Sequence, residues 1–183
     1  AWIVRDRLCR QPALEPFLTL LRSCGPNDAE WSATVDAVAH AAQRRESVAE
    51  LADRLGLAQG VTGYIYHTVP VAAYAWFRHC GDYRQTLTAV LDCGGDTDTV
   101  GAIVGALAGA TVKEEGIPAD WRAGVTDWPR SVPLLQIVAD RLATVMNTGR
   151  LSAPVRYFWP ALPVRNLLFL LIVLAHGFRR LLP

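Results

Sequence analysis

Within six residues, Gly94-Gly95-Asp96-Thr97-Asp98-Thr99, the chain places two glycines, two carboxylates and two hydroxyls. Two carboxylates beside a hydroxyl form an all-oxygen donor set that suits a hard cation such as Mg²⁺, Mn²⁺ or Ca²⁺. None of the six is a Cys or His that would favour zinc, although Cys93 adjoins them. On a regular helix Asp96 and Asp98 would point to nearly opposite sides. They converge only where a loop tips into a helix, with Asp96 before the first turn and Asp98 and Thr99 within it. Gly94 and Gly95 tolerate positive φ and so permit that turn. The competing reading is a plain N-cap, with Asp96 or Thr97 capping and Asp98 favourable at the positive helix end. Local chemistry alone does not prefer the metal over the cap. A phosphate-cradling loop is disfavoured, because two carboxylates repel phosphate unless a metal lies between them.

The elements that must position these groups read as helices, with almost no two-residue alternation to suggest a sheet. Trp2 to Arg10 reads as the tail of a helix. Pro12 in a first turn precedes Leu14, Phe17, Leu18 and Leu21, one apolar face ended at Gly25-Pro26. Asp28 caps a helix carrying Trp31, Val35 and Val38. Ser47-Val48-Ala49-Glu50 is a capping box opening a short helix to Gly56. Gly60 and Gly63 mark a loop, and Pro70 is expected to begin the next helix, ended by Gly81. Asp82 caps a helix with Leu87, Val90 and Leu91 that delivers the chain to Gly94-Gly95. Beyond the turn, Gly101, Gly105 and Gly109 recur every four residues as a smooth stripe. Each glycine costs about 1 kcal/mol against alanine in a helix interior, so close packing at the centre of a bundle is expected to offset them. Ser131 to Asn147 reads as one further helix, with Leu134, Ile137, Val138, Leu142 and Val145 apolar.

The motif Gly94-Gly95-Asp96-Thr97-Asp98-Thr99, followed by the Gly/Ala-rich helix, resembles the second metal motif of the ADP-ribosylglycohydrolases. The resemblance extends upstream over 63–77 (Gly-Tyr-Ile-Tyr-His-Thr-Val-Pro and onward) and downstream to Gly116-Ile117-Pro118-Ala119-Asp120-Trp121, about the middle third of the chain. It implies an all-α, orthogonal helical bundle and metal-dependent hydrolysis of ADP-ribosyl bonds on protein or small-molecule acceptors. In the family two metal ions, Mg²⁺ or Mn²⁺, position ribose hydroxyls and a water and stabilise charge at the scissile sugar. The resemblance makes Asp96, Asp98 and Thr99 metal ligands, and Gly94, Gly95 and His67 substrate-binding residues. For His67, a capping or packing role is the stronger expectation. The family's other half-site, a Thr-Asp-Asp-Thr motif and an acidic residue nearer the N-terminus, has no counterpart: no Asp-Asp pair occurs. The chain is therefore expected to be the C-terminal portion of a family member. It has no catalytic acid of its own and should be inactive alone.

Composition bounds the rest. The 183 residues are 51% hydrophobic and 19% charged with a net charge of +1, which leaves no basic footprint for nucleic acid. Four scattered cysteines form no Cys-x-x-Cys pair, and a reducing cytoplasm is the default. Residues 1–150 read as the family-type domain and 151–183 as a Pro/aromatic connection and an apolar helix. In that tail, Leu167 to Ala175 is apolar all round and, at nine residues, shorter than the roughly 20 that span a bilayer. Burial against protein is the expectation, with lipid contact as the weaker alternative. A non-catalytic, crystallin-like member and a membrane-associated interaction protein are the other functional classes carried forward.

Overall fold

The computed structural model describes residues 11–125, 127–151 and 153–181. The predicted helix over 2–10 lies outside them. Among the described residues the chain is all-α, with one isolated parallel bridge, Val61 to Gly95, and no strand. It divides into two compact units, 1–118 and 119–183.

Among the described residues the first unit holds six helices: α1 (Leu14–Cys24), α2 (Ala29–Arg44), α3 (Val48–Arg54), α4 (Ile65–Arg78), α5 (Tyr83–Leu91) and α6 (Thr97–Val112). The predicted caps are in place. Asp28 accepts from the Trp31 N–H, Asp82 from Gln85, and Ser47 with Glu50 forms the reciprocal capping box. Each satisfies a donor that the first helical turn would otherwise leave unpaired.

Helix α4 is the hub and packs against α1, α2, α3, α5 and α6. Its second half is buried nearly all round through Val71, Ala72, Tyr74, Ala75, Trp76 and Phe77, the pattern of a helix with neighbours on every side. Its two polar aromatic tips find partners. Tyr74 donates to the Glu46 carbonyl at 2.6 Å and the Trp76 indole to Thr111 Oγ1 at 2.7 Å.

The predicted start of α4 needs correction. The helix opens at Ile65, and Pro70 lies inside it. Pro70 has no N–H for the Tyr66 carbonyl, yet the first turn is held from outside. His67 and Thr68 N–H groups both donate to the Tyr64 carbonyl at 2.9 Å, and Thr68 Oγ1 donates to the Thr62 carbonyl at 2.7 Å.

Helices α5 and α6 form an antiparallel hairpin. A Cβ at Gly101 would meet Leu91 at the end of α5, and one at Gly105 or Gly109 would meet Tyr83 at its start. The glycine stripe thus faces its sequence neighbour and is half-buried rather than central. Asp98, Ala102, Ala106 and Ala110 line the exposed edge of α6.

The second unit comprises α7 (Ala119–Gly124), α8 (Val132–Thr148) and α9 (Ala161–Leu181). Gly149 closes α8 in the left-handed conformation, its N–H donating to the Val145 carbonyl. Asp127 pairs with Arg165, and Arg141 donates to the Ala153 carbonyl. The burial expected of the apolar tail is not found. Leu167 to Leu174 are all exposed, as are Ile137, Val138 and Leu142 of α8. The nine-residue run sits within a longer helix because Pro163 falls in its first turn, where a missing N–H costs nothing.

Candidate functional site

Two loops meet in front of α4 and α6. The Val61 N–H donates to the Gly94 carbonyl at 3.0 Å, and the Asp96 N–H returns to the Val61 carbonyl at 2.7 Å. The backbones lie too close for any side chain between them. A Cβ on Gly95, whose φ is +84°, would stand 2.2 Å from the Val61 carbonyl oxygen, and one on Gly60 would stand 2.5 Å from the Gly95 nitrogen. Glycine is required at both positions.

This clamp sets the direction of the acidic motif. Asp96 is the N-cap of α6, and Asp98 and Thr99 lie in its first turn. The Thr99 N–H donates to Asp98 Oδ1 at 3.0 Å and to Asp96 Oδ1 at 3.4 Å. Both carboxyl groups therefore converge on one amide. The Asp96 side chain, then the Thr99 amide, holds the Asp98 carboxyl below the usual carboxylate range. The other oxygen of Asp96 lies in the space left by Gly63, where a Cβ would approach Oδ2 to 2.7 Å. The cap reading is thus true of Asp96, and it coexists with convergence: capping occupies Oδ1 and leaves Oδ2 beside Gly63. Asp98 and Thr99 are exposed.

The donor set is oxygen only. Burial pushes the neighbouring Cys93 thiol up, and its Sγ–H donates to the Ala89 carbonyl, so it offers no thiolate. Among the described residues no cluster of three or more His, Cys, Asp or Glu could hold a metal ion. Two carboxylates and a hydroxyl from one segment leave most of a hard cation's coordination shell to other ligands.

Gly94 and Gly95 occupy the turn itself, both at positive φ. His67 sits in the first turn of α4, half-buried, its Nδ1 2.8 Å from Thr62 Oγ1 and its ring edge-on to Tyr64. Thr62 follows Val61, so His67 is tied to the same loop pair as the carboxylates.

An aromatic–acidic cluster was not visible in the sequence. Tyr64 and Tyr66 stack at 5.1 Å, and each reaches an acid near the start of α2. Tyr66 donates to Asp28 at 2.5 Å and Tyr64 to Glu30 at 3.2 Å. The Tyr66 bond, followed by the Trp31 amide, lowers the Asp28 pKa, and Asp28 in turn pushes the Tyr66 hydroxyl up to about 12. Desolvation and then Glu30 raise Tyr64. The partners lie 34 and 38 residues apart, a spacing at which sequence carries no pairing signal. A groove lined by Gln11, Leu14, Ala42, Arg45, Phe77 and Arg78 lies at the far end of α4, about 20 Å along that helix from Ile65. It is not part of the acidic site.

A segment of 64 residues is 33% identical to ADP-ribosylhydrolase ARH3 of Gallus gallus, covering 30% of this chain and 17% of that protein. The match thus spans under a fifth of the relative's length. No solved structure matches the chain. The family model for ADP-ribosylglycohydrolase matches residues 1–151 and so takes in the loop clamp, the acidic helix start and all of α1 to α8. With most of its length under that model, the chain belongs to the ADP-ribosylglycohydrolase family.

Proposed function

We propose that this chain carries one side of a metal-dependent ADP-ribosyl hydrolase site, with Asp96, Asp98 and Thr99 as its ligands to Mg²⁺ or Mn²⁺. The observation that supports this is the convergence of both carboxyl groups on the Thr99 amide, with Asp96 Oδ2 seated in the notch at Gly63. Metal, when bound, supplies Lewis-acid polarisation and charge stabilisation at the scissile sugar. The chain's own part is positioning. The Gly60–Val61 and Gly94–Asp96 clamp fixes the carboxylates before any ligand arrives, which lowers the ordering cost of binding. Gly94, Gly95 and His67 line the approach on the same loop pair, where we assign them contacts to ADP-ribose. The substrate is an ADP-ribosylated protein or a small ADP-ribose derivative, met in the cytoplasm, and no nucleic acid takes part.

The remaining ligands and the acidic group that assists bond cleavage lie outside these 183 residues. The isolated chain should therefore release no free ADP-ribose from a modified protein in the presence of Mg²⁺ or Mn²⁺. Complementing it with a segment that carries the Thr-Asp-Asp-Thr motif should restore release, and Asp98→Ala should abolish it again while the helical circular dichroism is unchanged. Turnover by the isolated chain, lost on Asp98→Ala, would overturn the division of the site. Undiminished turnover by the complemented Asp98→Ala protein would remove Asp98 from it.

A further inference from the structure

The helix α9, independent of the hydrolase reading, has a surface that water does not suit. Four successive residues on an α-helix, at 100° steps, sample its whole circumference. In α9 such a set is Leu167, Leu168, Phe169 and Leu170, and these are 58%, 58%, 63% and 51% exposed. Leu171, Ile172, Val173 and Leu174 repeat the pattern one turn on.

A protein partner, or a second copy, would cover one stripe of such a helix and leave the others wet. The hydrocarbon of a bilayer covers every side at once, and an α-helix meets its condition that backbone groups be satisfied within the segment. We propose that α9 is inserted in a lipid bilayer.

Its length and ends fit that occupant. The stretch Ala161–Arg180 is 20 residues, about 30 Å of helix, which is the thickness of the hydrocarbon layer. Tyr157, Phe158 and Trp159 precede it, all exposed, as side chains that settle at the headgroup level do. Arg179 and Arg180 close the other end, where long stems carry their charges out to the interface. Arg165, one turn in, is paired with Asp127. No charged residue lies between Arg165 and Arg179. His176 is the one ionisable group there, and its Nδ1 lies 3.0 Å from the Ile172 carbonyl.

The test is flotation of the full chain with phosphatidylcholine vesicles, followed by alkaline carbonate extraction. The neutral lipid excludes adhesion by charge alone. The chain should float with the vesicles and resist extraction. Leu170→Arg, an exposed change at mid-helix that leaves the core untouched, should lower partitioning roughly a hundredfold. Leu142→Arg, on the exposed face of α8, should leave it unchanged. Three results would overturn the assignment: a chain that stays in the aqueous phase, a lipid-free oligomer that protects α9, or equal flotation of the Leu170→Arg protein.

Discussion

The two compact units use the same apolar residues to opposite ends. Among the described residues every buried hydrophobic side chain except Ala161 lies between Phe17 and Ala108. Leu51, Val35, Val38 and Val71 have no accessible surface, whereas Leu142 is 60% exposed and Met146 78% exposed. The difference is geometric. In the first unit the other helices pack against α4, whose second half is buried nearly all round, so hydrophobic content becomes core. In the second unit α8 and α9 carry comparable content and leave it exposed. Apolar composition therefore specifies burial only where topology supplies an opposing face.

Paired substitutions that are identical in chemistry but differ in unit should break or sharpen this contrast. The largest effect is expected at glycine. Gly95→Ala forces a methyl into the Val61 carbonyl at a positive φ, and separating the loops should cost about 4 kcal/mol or more. Gly177→Ala, in open space on α9, should stabilise by about 1 kcal/mol or less. Urea midpoints of the two proteins should move in opposite directions, and equal shifts would mean that the clamp yields. Next is leucine. Leu51→Ala empties a site with no exposure and should cost about 2–5 kcal/mol, while Leu142→Ala should fall within about 0.5 kcal/mol of wild type. A large loss at Leu142 would show that α8 is covered in solution.

The smallest effect concerns pH and marks the first unit alone. Folding raises the Tyr66 pKa from 10.0 to about 12, so its contribution is complete below pH 10 and is lost as pH climbs toward 12. Asp28 is shifted the other way. Its contribution is present above its ordinary value of 3.8 and is lost as pH falls through its lowered folded value. Tyrosinate absorbance should show a group titrating at about 12 in the wild type, beyond the smaller rises at Tyr64 and Tyr74. In Tyr66→Phe that group should be missing, and the alkaline loss of stability should be smaller. If the mutant and wild-type titrations superimpose apart from one ordinary tyrosine, the Asp28 bond does not hold in solution.

What could be read from the chain was what is local. The caps at Asp28, Ser47 and Asp82 are settled within three or four residues and stand where residue type and spacing placed them, and of Asp96 and Thr97 it is Asp96 that caps α6. Helix α4 starts ahead of the strong local signal at Pro70 because its first turn is tied to the Tyr64 and Thr62 carbonyls, bonds to backbone oxygens that leave no residue pattern. At the site, the carboxylate pair and the turn glycines were legible, since oxygen count and positive φ belong to residue type. The partner of that turn was not, because the Val61–Gly95 pairing is made by backbone atoms and leaves no side-chain pattern. The burial expected of the tail assumed an opposing surface that composition cannot reveal.

The Val61–Gly95 bridge also has a consequence for the order of assembly. It joins two points of the chain separated by all of α4 and α5. Its ends can meet cheaply only after both helices have formed and folded back, since closing the same loop in an unstructured chain carries the full entropy cost for few contacts. The carboxylates of Asp96 and Asp98 thus gain their orientation late, when the hub is already built. The reverse holds on opening. Loss of the two backbone bonds at Val61 releases the start of α6 without melting the core around Tyr74, so the acidic loop can open as a small cooperative unit inside a folded protein.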